Sequence, residues 1–392
     1  LEFILNNYFS DKMNDMKGKQ GMVCMGLLLV LSSCHTGKQI TASGLQRKDF
    51  QTEVNGQHTD LFTLSNKQGM EVCITNYGAR VVSILVPDRN GKREDVVCGF
   101  STITEYMEQR QNFGSTVGRY IGRILNARFT LDGVEYKLVP NNGKSGHISH
   151  GGNPGFADRI WKVEQADTHR VRLSYLSPDG ENGFPGNLKV TLVYSLGEDD
   201  NALDLTYEAT TDAPTVLNLS HHSFFNISGN FTKSVEDQQL WVDADRFTPY
   251  DDKKCVTGEY LPVAGTPLDF RMPHAIGECI DADHPQLKVV NGYDHTWELN
   301  TKGDDTRPAA WVYDPASGRK MEIFTTEPGM QIYTGNGLKG KMTGKGGIAY
   351  PFRSAVCFET MHFQDSPNQP GFPSTVLRPG EVFRSHTVYK FE

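Results

Sequence analysis

The sequence has no basic cluster interleaved with aromatic side chains, and 39 Lys and Arg against 47 Asp and Glu leave a net charge of −8. That balance excludes a nucleic-acid footprint, which needs a basic face. No apolar run is long enough to cross a bilayer; the one near the N-terminus, Met22 to Leu31, falls well short of a span. Seven cysteines are present but no CxxC pair. Cys73, Cys98, Cys255, Cys279 and Cys357 are too irregularly spaced for a disulfide framework or a zinc site. Cys73 and Cys357 lie in strand-like runs and are expected as small core residues. Neither H-x-H nor H-E-x-x-H occurs, so no metal is expected. No Ser or Cys sits in a nucleophile elbow, which turns attention from covalent catalysis to proton transfer.

What the sequence does have is period-two alternation of apolar and polar residues, the signature of half-buried strands. It recurs in Met70–Thr75, Val171–Leu176, Leu188–Tyr194, Ala202–Tyr207 and Lys320–Thr325. Turn chemistry separates such runs at Asp132-Gly133, Asn141-Asn142-Gly143, Pro178-Asp179-Gly180 and Ser317-Gly318. Helices are few; Thr102 to Gln109 is the best, opening on a capping box of Thr102 with Glu105. Many strands and almost no helices predict an all-β fold, a large antiparallel sandwich. No composition break divides 45–392, so one domain is expected there.

The N-terminus reads as a targeting signal. Met16-Lys17-Gly18-Lys19 supplies the positive region and Met22 to Leu31 the apolar region. Leu31-Ser32-Ser33-Cys34 resembles a bacterial lipobox, with Cys34 as the residue that receives lipid. Residues 16–33 are therefore expected to be a lipoprotein signal peptide and 34–44 a tether. Residues 1–15 carry no signal logic and read as a non-native or mis-started extension. The expected location is the periplasmic side of a Gram-negative envelope, with the membrane reached only through the lipid.

The most informative segment is Ala355 to Pro370. Glu359 lies in an apolar run between Phe358 and Phe363, where burial would raise its pKa toward the range of a proton shuttle. The competing expectation is an edge-strand Glu pointing to water. Four other clusters join reactive residues to glycines or turns: Gly118-Arg119-Tyr120-Ile121-Gly122-Arg123, Ser149-His150-Gly151-Gly152, Ser220-His221-His222-Ser223-Phe224 and Asn291-Gly292-Tyr293-Asp294-His295. The adjacent histidines must point to opposite faces of a strand, so only one can enter a given pocket. Trp297 is expected to fill the core. Gly335-Asn336-Gly337-Leu338-Lys339-Gly340 satisfies G-x-G-x-x-G, but the glycine-rich continuation cannot start the helix a phosphate site requires. It is expected to be a loop.

These residues resemble the aldose 1-epimerase (galactose mutarotase) family from about Leu45 to Glu392. The matching segments run in family order through Asn76-Tyr77-Gly78-Ala79, Gly118-Arg119 to Arg123-Ile124, His150-Gly151-Gly152, His222 to Asn226 and Gly265 to Arg271. They continue through Gly292 to His295, Gln331 to Asn336, Glu359-Thr360 and Asp365 to Pro370. The resemblance implies a β-supersandwich and interconversion of the anomers of a free aldose such as galactose or glucose, with no cofactor; a monomer is expected separately. It implies Glu359 as general base and His222 as acid, with His150 assisting, and Arg123, Asp294 and Gln331 holding sugar hydroxyls. The chain departs from the family where Gly122 replaces an Asn that would hydrogen-bond sugar, and at His221, Phe224 and Met361. Those departures bear on sugar preference, with Met361 the first place to look. Two alternatives stand beside this reading: a non-catalytic sugar-binding lipoprotein of the same fold, and a cytoplasmic epimerase of a phosphorylated hexose.

Overall fold

A computed structural model describes residues 40–392. The expected extension, signal peptide and Cys34 lie outside the described residues. Of the expected tether only 40–44 is described: Ala42 and Ser43 donate backbone N–H groups to the carboxylate of Glu71 at 2.7 and 3.3 Å, which ties this stretch to the strand Glu71–Thr75.

Three antiparallel sheets carry the architecture. The largest has nine strands, in the order Lys162–Ala166, Arg170–Ser177, Leu188–Leu196, Ala202–Thr211, Phe383–Phe391, Lys320–Thr325, Ala310–Tyr313, Gln239–Val242, His274–Ala275. A six-stranded sheet runs Phe224–Phe225, Val356–Met361, Gly329–Tyr333, Asp294–Glu298, Arg246–Thr248, Leu261–Pro262. A four-stranded sheet joins Leu61–Ser65, Glu71–Thr75, Arg80–Pro87 and Arg93–Asp95. The expected all-β sandwich is what forms.

Alternation explains the layering. Leu192, Tyr194, Leu205, Tyr207, Ile323 and Tyr389 of the large sheet share one buried cluster with Trp297, Met330, Ile332 and Phe358 of the six-stranded sheet and Val72, Ile74, Val81 and Ile84 of the smaller one. Apolar faces of different sheets thus cover one another, as a sandwich requires. Polar ties cross the same layer: Tyr389 Oη donates to Phe358 O at 3.0 Å and Tyr194 Oη to Ala79 O at 2.7 Å. Trp297 is fully buried and donates its indole N–H to Leu268 O.

Local sequence sets the turns. Asp132 and Gly133 both have positive φ, 51° and 80°, which a two-residue hairpin turn matching strand twist demands, and they join Arg128–Leu131 to Val134–Lys137. The expected helix forms as Ile103–Gln109 with its capping box complete. A second, Pro285–Val290, ends at Asn291 in the left-handed region. The G-x-G-x-x-G stretch is not helical. Asn336 within it donates to Val290 O and Tyr293 O, and so pins the turn that leads into Asp294–Glu298. All five cysteines of the described residues are free, and Cys73, Cys98 and Cys357 are buried.

Candidate active site

Glu359 is not at a sheet edge. Its strand, Val356–Met361, lies between Phe224–Phe225 and Gly329–Tyr333 and is buried along its whole length. Phe358 and Thr360 face the large sheet, where Thr360 Oγ1 lies 2.7 Å from Thr387 Oγ1. Strand alternation therefore sends Glu359 and Met361 to the opposite face, where both line a cavity of about 240 Å³. That volume lies below the roughly 300–1,000 Å³ typical of drug-sized sites and suits one small polar molecule.

His222 meets Glu359 there. It comes from Ser220–His222, which pairs with Ser115–Val117, and its Nε2 lies 3.3 Å from Glu359 Oε1. Its ring stacks on Phe224 at 5.1 Å between centroids and 16° between planes. The neighbouring His221 points the other way, into the core, with Nε2 2.6 Å from Ser223 Oγ and Nδ1 3.4 Å from Tyr194 Oη. The opposite-face expectation for the histidine pair is met.

Arg123 and His150 are brought together by another short pairing. Arg123–Ile124 is antiparallel to Ile148–Ser149, and His150 N–H donates to Gly122 O at 2.9 Å. His150 sits in the left-handed region at φ 53°, and Gly151 follows at 78°. A Cβ on Gly151 would lie 2.0 Å from Gly118 O, so glycine is obligatory there. This turn presents the His150 ring edge-on to His222, with centroids 5.5 Å apart. Arg119, four residues before Arg123, does something else: it is buried and donates to Pro185 O and Gly186 O at 2.7 and 3.0 Å, holding loops together.

Asp294 and Gln331 complete the polar wall. Gln331 Nε2 donates to Asp294 Oδ1 at 2.6 Å, and Thr296 Oγ1 donates to Gln331 Oε1 at 2.5 Å. Arg123, His150, His222, Asp294, Gln331 and Glu359, dispersed in sequence, all line the one cavity, and Gly122 lines it with them.

Burial governs the electrostatics. It pushes the Glu359 carboxyl well above its ordinary value, with the nearby Asp294 charge adding to the effect. It pushes His222 well below the usual imidazole range, reinforced by His150. His150 is lowered to about 4 by desolvation and then by the Arg123 charge. Asp294 is raised by burial, an effect opposed by Arg123 and the Gln331 hydrogen bond. His222, Cys357 and Glu359 bring possible metal donors within 4.8 Å of one another. Burial also raises the Cys357 thiol well above its ordinary value.

Sequence reasoning did not single out Tyr250 and Gln364. Gln364 lines the cavity; Tyr250, buried beside it, accepts a hydrogen bond from Gln364 Nε2 at 2.6 Å. Gln364 lay inside the Glu359 segment, but nothing in its neighbours marked it. Its importance depends on what it touches across the chain.

Comparison with known proteins follows the same lines. The family described as aldose 1-epimerase matches residues 60–390. Galactose mutarotase from Sus scrofa is 39% identical over 330 residues, covering 84% of this chain and 93% of the relative. Aldose 1-epimerase from Escherichia coli (strain K12) is 36% identical over 339 residues, covering 86% and 96%. Among solved structures, the GalM/aldose epimerase homologue from C. elegans superposes with a TM-score of 0.78 at 31% identity, covering 85% of this chain and 99% of that one.

Proposed function

The chain belongs to the aldose 1-epimerase family and is an isomerase of that kind, and we propose that Glu359 and His222 are the two groups that move its protons. The observation that carries this assignment is their separation of 3.3 Å, Nε2 to Oε1, on the wall of one cavity. In a cyclic aldose the anomeric hydroxyl and the ring oxygen share one carbon. Acid and base must therefore converge on the same point, and these two do.

Ring opening begins from carboxylate and imidazolium. Glu359 takes the proton of the anomeric hydroxyl as the C1–O5 bond breaks, and His222 gives its Nε2 proton to O5. The sugar becomes the open-chain aldehyde; the pair becomes carboxylic acid and neutral imidazole. Rotation about C1–C2 turns the other carbonyl face to O5. On reclosure the hydroxyl proton returns to His222 and the Glu359 proton goes to the new anomeric oxygen. The pair holds the same number of protons throughout, so no net exchange with solvent is needed. Burial, which raises Glu359 and lowers His222, favours the uncharged arrangement that accompanies the open-chain sugar.

Arg123, Asp294 and Gln331 supply donors and acceptors for the sugar hydroxyls, and His150 stands beside His222 as an orienting group that also reaches toward the ring oxygen. The substrate is a free hexose such as galactose or glucose. Polarimetry of freshly dissolved α-galactose and α-glucose, extended to xylose and arabinose, tests the reading. Anomer equilibration accelerated in proportion to enzyme is expected; equilibration no faster than in buffer would overturn it.

The residues before the described part support a further proposal, that Cys34 carries a lipid anchor and the catalytic domain works on the periplasmic side. The supporting pattern is the positive Met16–Lys19 segment, the apolar Met22 to Leu31 and the Leu31-Ser32-Ser33-Cys34 box.

A further inference from the structure

We infer that Gln364 is a sugar-contacting, specificity-determining residue that occupies the place left open at Gly122. The inference rests on the epimerase reading above and concerns which sugars the cavity accepts.

Gly122 has φ 77°, and a Cβ built on it would lie 2.5 Å from Gln364 Cγ and 3.1 Å from its Cδ. The Gln364 side chain therefore lies flat over the glycine, and the two positions share one volume. Any side chain at 122 displaces Gln364. The absence at one position and the presence at the other are a single feature of the cavity wall.

The amide is held from three sides. Arg123 N–H donates to its Oε1 at 3.3 Å; its Nε2 donates to Tyr250 Oη at 2.6 Å and to Gln331 Oε1 at 3.3 Å. These contacts leave recognition capacity. An amide oxygen accepts two hydrogen bonds, and among the described residues this one accepts one. The Nε2 bond to Gln331 is long, and that oxygen already accepts a 2.5 Å bond from Thr296, so a ligand hydroxyl can take its place. One sugar hydroxyl can thus donate to Oε1 and accept from Nε2. Through Gln331, Gln364 is also wired to Asp294. A buried amide, fixed in orientation and lining the cavity, discriminates hydroxyl positions because a sugar without the matching hydroxyl leaves it unpaired.

The experiment compares Gln364→Ala, Gly122→Asn and the double variant with the wild type, using polarimetric kcat and KM for galactose, glucose, xylose and arabinose. Asn tolerates the left-handed backbone at 122, so the single Gly122→Asn change isolates the collision with Gln364. Expected are a KM for the preferred hexose raised about 3- to 10-fold in Gln364→Ala, the loss of one or two hydrogen bonds, kcat within about 2-fold, and a changed ratio of kcat/KM between sugars. Gly122→Asn alone should lose activity, and the double variant should recover beyond that single by supplying the amide from the other side. Two results would overturn the inference: unchanged KM and sugar ratios in Gln364→Ala, or equal losses for all sugars with a lowered melting temperature and no recovery in the double variant. An inactive wild type would instead refute the epimerase reading itself.

Discussion

Gln331 and Glu359 are direct cross-strand partners, opposed in the register that joins Gly329–Tyr333 to Val356–Met361. The proposed base and the amide proposed to hold sugar hydroxyls are therefore set by sheet geometry and not by loops. A slip of one residue in either strand would turn its member from cavity to core. Asp294 joins them from the next strand, which places Thr296 opposite Gln331.

Replacing Glu359 by Gln keeps shape and removes the base. A fall in kcat of about 10²- to 10⁴-fold is expected, the usual range for a general acid–base group. Calorimetric binding of galactose should persist. Because burial already disfavours the Glu359 carboxylate, a neutral amide of the same shape should leave the thermal midpoint unchanged or raise it. Full polarimetric activity in this variant would show that Glu359 is not the base.

His221 provides a test of linkage away from the cavity. Burial lowers its pKa to about 3, against roughly 6.5 unfolded. Its folded pKa is depressed, so its contribution is complete above about pH 6.5 and is lost as pH falls toward 3. Glu359, raised by burial, runs in the opposite sense. His221→Asn should be less stable than the wild type at pH 7. The gap should narrow by ~3 kcal/mol on acidification to pH 4, at about 1.4 kcal/mol per unit. Urea midpoints between pH 7 and 4 measure it; a gap independent of pH would contradict a neutral, buried His221.

Gly151→Ala should damage site and fold together. The added methyl meets Gly118 O at 2.0 Å in a left-handed backbone. A cost of about 2–4 kcal/mol is expected from collision and strain, seen as a lower melting temperature along with reduced kcat. His150→Asn, which suits the same backbone, should leave the melting temperature nearly unchanged, so any activity it loses belongs to the imidazole.

If Cys34 carries lipid, Cys34→Ser in the full chain should move the protein from the membrane to the soluble fraction of a Gram-negative host and abolish incorporation of labelled fatty acid. Specific activity after solubilisation should not change. Equal membrane association of both forms would remove the anchor proposal without touching the chemistry.

Much of this was legible in advance where the cause is local. Lys320–Thr325 was bounded by its alternation and the Thr102 helix by its capping box. The opposed faces of His221 and His222 follow from strand geometry alone. Strand order is not local: nothing in Phe383–Phe391 announces that it lies between Ala202–Thr211 and Lys320–Thr325. The same limit made an edge position for Glu359 a fair expectation, although its strand has a neighbour on each side. Gln364 was invisible for a related reason. The missing side chain at Gly122 was legible in the sequence, but not that Gln364, 242 residues on, lies against it.

The placement of Phe383–Phe391 has a consequence for how the protein comes into being. This strand is the seam of the nine-stranded sheet, paired on one side with residues 202–211 and on the other with residues 320–325. Until it is threaded in, the two halves of that sheet lack the strand that pairs with both, and Tyr389 cannot brace Phe358 behind the strand that bears Glu359. During synthesis, a nascent chain that has not yet delivered this seam holds all the cavity residues but no closed sandwich to fix them. Enzymatic competence should arrive in one late step, and a premature stop just before residue 383 should behave as a null allele and not as a mildly shortened enzyme.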